Sequence, residues 1–391
     1  MGDIHHAPIH LEIVEQFESS HTVLRCKVDS EGAETQLPST LIVKQRVLDR
    51  AIKPDQFDQV VLFRNEWASL DFLASVTNED VPGPRRFASD REAGLVIMED
   101  LGSVQTVQDV LYGNDRQAAI KALVGMGRAM GYIQGISFGR ESDFTAIQKE
   151  LSASTAQCYA NRDLRLNLNV LRDLITGLDL EYEDRLEQAL LQLENEIHGP
   201  GTWRTFVHND AGPHNFAVTG EGVKLLDFEF AGFDYGPVDA ACARLGFPPS
   251  FRGRILPQEI VSQVEDNYAD ELIKQAPEMA ERLDFSLGLT KACAHWAFST
   301  LNGFAPYLHE RLKQGEAYDR RDGRDPKKDA FFRQSVLTIL RLTVSSLEDN
   351  EQLAELRVPL SRIIERLLQI WPETPYLDTY PAFGGGAWHY P

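Results

Sequence analysis

Thr205-Phe206-Val207-His208-Asn209-Asp210-Ala211-Gly212-Pro213-His214-Asn215-Phe216, followed by Val223-Lys224-Leu225-Leu226-Asp227-Phe228-Glu229, is the stretch on which the reading of the fold turns. An apolar run feeds a tight polar loop, and two short apolar strands joined by a turn come after it. Within the loop, His208, Asp210 and Asn215 form the pattern H-x-D-x-x-x-x-N, and the second strand ends on Asp227, 12 residues beyond Asn215. A loop followed by a hairpin can bring these polar groups to one point.

Those residue types suit phosphoryl transfer from a nucleotide. In that reaction a carboxylate orients the attacking hydroxyl, while metal ions bridge the phosphates. Mg2+ takes hard oxygen ligands and keeps several waters, so one carboxylate and one amide oxygen suffice from the protein. On this reading Asp210 is the base, and Asn215 and Asp227 hold the metal.

With Asp227-Phe228-Glu229 behind the H-x-D-x-x-x-x-N loop, the sequence resembles the aminoglycoside phosphotransferase and choline kinase group of small-molecule kinases. Asp234-Tyr235-Gly236-Pro237-Val238-Asp239 is similar to a short segment that this group carries behind its metal site, and the resemblance spans roughly residues 10–245. It implies an α+β, bilobed, protein-kinase-like fold, with a mainly β lobe over 1–100 and a mainly helical lobe over 101–391. It also implies ATP and Mg2+ as cofactors and a small-molecule hydroxyl as acceptor, on an aminoglycoside, amino alcohol or amino sugar. His208 then becomes a structural residue that packs below the loop and hydrogen-bonds its backbone. Asn209 stands where the group commonly has glycine.

Composition narrows the remaining classes. The chain is 43% apolar and 25% charged, ordinary for a globular protein, and 391 residues suffice for a large bilobed unit. Its net charge of −20 argues against a nucleic-acid partner, which lysine and arginine would have to bind, and permits a cationic substrate. No apolar run approaches the ~18 residues of a membrane span. Four scattered cysteines without a C-x-x-C pair suggest reduced thiols in a cytoplasm rather than disulfides or zinc.

Further residues are assigned along the chain. His10–Phe17 and Thr22–Val28 read as a hairpin whose link, including Ser19 and Ser20, would lie over the nucleotide phosphates despite lacking a G-x-G-x-x-G signature. Lys44 closes the apolar strand Thr40–Val47, where an unpartnered buried ammonium is costly; the kinase resemblance gives it phosphates and a helix glutamate as partners, the alternative being a strand-edge lysine that reaches solvent. The helix expected over Asp55–Ser75 buries Val60, Phe63, Trp67, Leu70 and Ala74, with Glu66 at the edge of that face as the partner of Lys44. The strand Gly94–Met98 leads into a hinge whose backbone, at Met98, Glu99 and Asp100, would meet the base.

Helices are expected over 115–137, about 148–177, 182–197, 283–312 and 330–371. The glycines of Gly125–Gly131 predict close packing against the catalytic loop. Asp239 reads as a helix N-cap that braces the active-site loop. Glu229 either joins the metal shell or faces the substrate. Arg252 and Arg254, in a loop shaped by Pro and Gly, can bind an anionic substrate group, a role that competes with ordinary surface ion pairing.

Two rival readings stay open. A catalytically silent nucleotide-binding regulator could use the same fold. A protein kinase is disfavoured, since 12 residues between Asp227 and Asp239 leave no room for an activation loop and no A-P-E follows.

Overall fold

A computed structural model describes residues 9–17, 22–29, 38–46, 58–77, 81–154, 163–199, 203–248, 250, 252–280, 284–314, 326–348 and 350–386. Ser19 and Ser20 lie outside these residues.

Five strands, β1 (His10–Phe17), β2 (Thr22–Asp29), β3 (Thr40–Gln45), β4 (Arg86–Asp90) and β5 (Leu95–Glu99), form an antiparallel sheet in the order β1-β2-β3-β5-β4. Lys44 sits opposite Val23 on one side and Val96 on the other, on an interior strand.

Helix α1 (Gln59–Val76) is capped by the Asp58 carboxylate, which accepts the Val60 N–H. Its buried face is rotated from the expected one. Phe63 and Leu70 are buried, but Val60 and Trp67 are half-buried and Ala74 is exposed, while Asn65, Glu66 and Ser69 point inward. Hydrophobic spacing misses this because the polar residues find partners inside: Asn65 Nδ2 donates to the carbonyls of Glu229 and Ala231, each at 2.8 Å.

The remainder is mainly helical. Strand β6 (Gln105–Thr106) leads into α2 (Val107–Leu111), whose capping box pairs Thr106 with Asp109, and α3 (Arg116–Ser137) follows. Helices α4 (Glu141–Leu151), α5 (Leu164–Gly177) and α6 (Asp184–His198) precede four short strands: β7 (Arg204–Val207), β8 (Phe216–Thr219), β9 (Gly222–Leu225) and β10 (Gly232–Tyr235). Then come α7 (Pro237–Arg244), α8 (Gln258–Gln275), α9 (Phe285–Gln314), α10 (Pro326–Leu347) and α11 (Ala354–Ile370). β6, β8 and β9 form one sheet, and β7 pairs with β10. The fold is therefore α+β and protein-kinase-like, with an antiparallel sheet first and a helical part after it. Among the described residues no helix is long and apolar enough to cross a membrane.

Three sequence expectations are corrected. The helix expected over 148–177 stops at Leu151, because Ser152 takes a left-handed conformation with φ 52°, and α5 starts afresh behind the Asp163 cap. The run expected over 330–371 is likewise split, with Asn350 capping a short turn, Glu351–Leu353, between α10 and α11. The α3 glycines pack elsewhere than expected. A Cβ on Gly127 or Gly131 would lie 2.5 Å or 2.3 Å from the carbonyl oxygens of Val264 and Tyr268, so the stripe admits the backbone of α8. Gly125 meets Val223 of β9.

An aromatic cluster ties the parts together beneath the loop after β7. Phe72 (α1), Phe144 (α4), Phe206 (β7) and Phe233 (β10) are in mutual contact, with ring centroids 5.0 to 5.9 Å apart.

Candidate active site

Strand β7 delivers the chain into His208–Asn215, and three sets of hydrogen bonds shape that loop. Asp239 Oδ2 accepts the His208 N–H at 2.6 Å, and its Oδ1 accepts the Asn209 N–H at 2.9 Å. His208 Nε2 donates to the Leu226 carbonyl at 2.7 Å, leaving Nδ1 to accept the Asp210 N–H at 3.3 Å. Asn215 Nδ2 donates to both the carbonyl and Oδ2 of Asp210, each at 2.9 Å. Asn209 adopts φ 61°, a conformation asparagine tolerates better than most residues, and so fills a place suited to glycine.

Asp239 is not the expected N-cap. Pro237 occupies the first turn of α7 behind Gly236, so Asp239 falls within the helix and turns its carboxylate onto the loop amides. His214 folds back over Gly212, where a Cβ would meet its ring at 2.4 Å. Burial holds its imidazole below the usual range despite the nearby Asp210 carboxylate.

Beside this loop, Lys44 Nζ donates to Glu66 Oε1 at 2.8 Å and to Asp227 Oδ1 at 2.5 Å. Asp227, just past β9, is left-handed at φ 61°. Burial alone would raise its pKa, but Lys44 and then Arg46 outweigh that and pull it down to about 2. Arg46 is the residue the sequence reading missed. It is 2% exposed and lies against Glu229, with Glu66 Oε2 3.6 Å and Asp227 Oδ1 3.9 Å from its Nη2. The signal was available, since residues two apart on a strand share a face and Arg46 follows Lys44 by two. Glu229 thus faces Arg46 and Lys44, the latter at 3.8 Å.

Oxygens of Glu66, Asp227 and Glu229 lie within 4.8 Å of one another. Lys44 and Arg46 already sit among these three carboxylates, whereas the Asp227 carboxylate and the Asn215 amide oxygen are hard donors of the kind Mg2+ takes.

At the hinge, the sheet already uses the Glu99 N–H, which donates to the Arg85 carbonyl at 2.8 Å, and Met98 is buried in β5. The Asp100 side chain turns inward, where Arg25 Nε donates to it at 2.8 Å. Arg252 and Arg254 gather on one aromatic ring, their guanidinium carbons 4.7 Å and 5.8 Å from the Tyr112 centroid. Arg254 also donates to the Thr379 carbonyl at 3.3 Å, so the described part of the C-terminal tail packs here.

Residues 35–269 match the phosphotransferase enzyme family, APH, and the chain belongs to that family. Among solved structures it is similar to a choline kinase, LicA, from Streptococcus pneumoniae, at 14% identity over 85% of this chain and 94% of that one, TM-score 0.44. It is also similar to APH(2'')-IIa in a ternary complex with streptomycin and ATP, at 13% identity over 81% and 94%, TM-score 0.46. An ethanolamine kinase from Plasmodium vivax gives 12% identity over 86% and 81%, TM-score 0.44. Among curated proteins nothing matches.

Proposed function

We propose that this protein transfers the terminal phosphoryl group of ATP to a hydroxyl group of a small molecule. The observation that carries the reading is the meeting of Lys44, Glu66 and Asp227, beside the braced Asp210–Asn215 loop, whose Asn215 carbonyl accepts the Leu226 N–H at 2.8 Å. Asp210 orients the acceptor hydroxyl and takes its proton on a carboxylate oxygen as charge moves to the phosphate. Its carboxylate is held for that task by Asn215, and its backbone by His208. Lys44, steadied by Glu66, sets a positive charge against the nucleotide phosphates.

Asn215 and Asp227 are the residues assigned to Mg2+, which when bound neutralises phosphate charge. Backbone groups from Met98 to Asp100 that the sheet leaves open receive the base. With Lys44 and Arg46 on its carboxylate, Glu229 belongs to the charge network rather than to substrate. Residue 100 divides the nucleotide lobe from the acceptor lobe. The buried Cys26 and Cys293, outside any disulfide among the described residues, accord with a cytoplasmic setting. The acidic chain favours a cationic acceptor such as an amino alcohol, aminoglycoside or amino sugar.

The test is incubation with Mg2+ and ATP against a panel of hydroxylated small molecules, beside Asp210→Ala. Acceptor-dependent ATP consumption that vanishes in the variant supports the reading. Turnover that persists in the variant sinks it.

A further inference from the structure

A second cluster of ligand-type side chains lies behind the β7/β10 pair. Glu194 and His198 stand one turn apart on α6 and share a face, while His295 comes from α9 and Asp234 from β10. All four are largely shielded from solvent, and the Glu194 side chain is completely so. The proposed phosphoryl transfer uses none of them.

Their hydrogen bonds have a direction. Asp234 Oδ1 lies 3.2 Å from His198 Nδ1 and also accepts the Tyr235 N–H at 2.8 Å. That places a proton on Nδ1 and leaves Nε2 pointing into the cluster, where it can carry a second proton or bind a metal ion. Nε2 is buried, makes no hydrogen bond among the described residues, and faces Glu194 Oε2 across 3.4 Å. A carboxylate oxygen at that distance calls for a proton or a metal ion on Nε2. On the other side, His295 Nδ1 sits 2.7 Å from Glu194 Oε1. The two imidazoles meet edge-on at 78° with centroids 5.7 Å apart, so the rings do not stack.

We infer that Glu194, His198 and His295 form a binding site for a divalent transition-metal ion of the zinc class. One atom from each residue lies within 4.8 Å of the others. Ligand atoms on a tetrahedral zinc ion are about 3.3 Å apart for bonds of about 2.0–2.1 Å. The contacts of 2.7 Å and 3.4 Å bracket that spacing, so small side-chain turns suffice. The carboxylate of Asp234 behind His198 is the outer-shell partner that fixes a ligating ring and its tautomer. Glu194 Oε2 also accepts the Leu164 N–H at 2.8 Å, which pins the carboxylate from α5. A metal here clamps α6 to α9, and β10, which pairs with the strand leading to His208, is held through Asp234. The role is structural, since the donors are largely buried and none of them belongs to the phosphoryl-transfer site.

The experiment is calorimetric titration of chelator-stripped full-length protein with Zn2+ alone at neutral pH, with Co2+ added separately for its visible spectrum. The inference expects one Zn2+ per chain and the spectrum of a four-coordinate cobalt site with two imidazole nitrogens, one carboxylate oxygen and one water. Asp234→Asn weakens Zn2+ binding by at least about tenfold, Glu194→Gln and His295→Gln weaken it further, and Asp210→Asn leaves it unchanged. A wild type without a saturable site, or a site of unaltered affinity in Glu194→Gln, overturns the inference and leaves the cluster as a proton-linked ion network. If His295→Gln does not fold, the near-isosteric Glu194→Gln and the wild-type cobalt spectrum still decide.

Discussion

Replacing Gly131 by alanine isolates the close approach of α3 and α8 from ordinary helix propensity. The added Cβ falls 2.3 Å from the Tyr268 carbonyl oxygen and 3.0 Å from the Leu272 nitrogen, both backbone atoms of α8. A carbon–oxygen contact needs about 3.3 Å or more, so the two helices must part by about 1 Å. The parting strains the bond from Tyr268 Oη to Gln134 Oε1 at 2.6 Å, and Gln134 in turn donates to the Gly236 carbonyl at 3.0 Å. Overpacking of this kind costs about 1–3 kcal/mol, while alanine in a helix interior gains about 1 kcal/mol over glycine.

The expected balance for Gly131→Ala is a loss of up to about 2 kcal/mol. Gly303 is the control. It lies in α9, is exposed, and a Cβ there meets nothing within 4 Å. Gly303→Ala should therefore gain about 0.5–1 kcal/mol from propensity alone. Equilibrium urea unfolding followed by circular dichroism reads both. Midpoints that move in opposite directions support the packing account. A Gly131→Ala midpoint that rises alongside that of Gly303→Ala refutes it.

Asp239→Ala removes two buried charge-assisted acceptors from the His208 and Asn209 amides. Each such loss costs about 1–3 kcal/mol, so urea unfolding should show a drop of about 2 kcal/mol or more. Asp100 gives a pH signature. Burial would raise its pKa, but the bonds from Arg25 and the Gly102 N–H lower it below the usual aspartate value. Its contribution is therefore present above the unfolded value near ~3.9 and is lost as pH falls through the folded one. Asp100→Asn should be less stable than wild type at pH 7, and the two should converge as the pH drops below ~3.9. A constant gap across that range refutes the linkage.

The His208–Asn215 loop was legible because its pattern is local, with His208, Asp210 and Asn215 within eight residues, although Leu226 and Asp239 from farther along the chain help to shape it. Lys44 and Glu66 were also legible, since a lysine ending an apolar strand needs a buried partner. What escaped depended on tertiary context. Arg46 looked like the end of a strand because its partners, Glu66 and Glu229, come from distant parts of the chain. The face of α1 was misjudged for the same reason, as Asn65 is buried only because the carbonyls after Phe228 receive it. For Asp239 a local cue was present: Pro237 favours the first helical turn, which moves the aspartate off the cap. Glycine spacing in α3 announced close packing but could not name α8 as the partner.

The most direct test of the central claim is a parallel measurement of Mg2+-dependent ATP binding and acceptor phosphorylation in wild type, Asp210→Asn and Asp227→Asn. The account predicts that Asp210→Asn binds ATP as wild type does but loses turnover by about a hundredfold or more, whereas Asp227→Asn loses both the Mg2+ dependence of binding and turnover. Undiminished turnover in Asp210→Asn, or a wild type that binds no ATP, would contradict it.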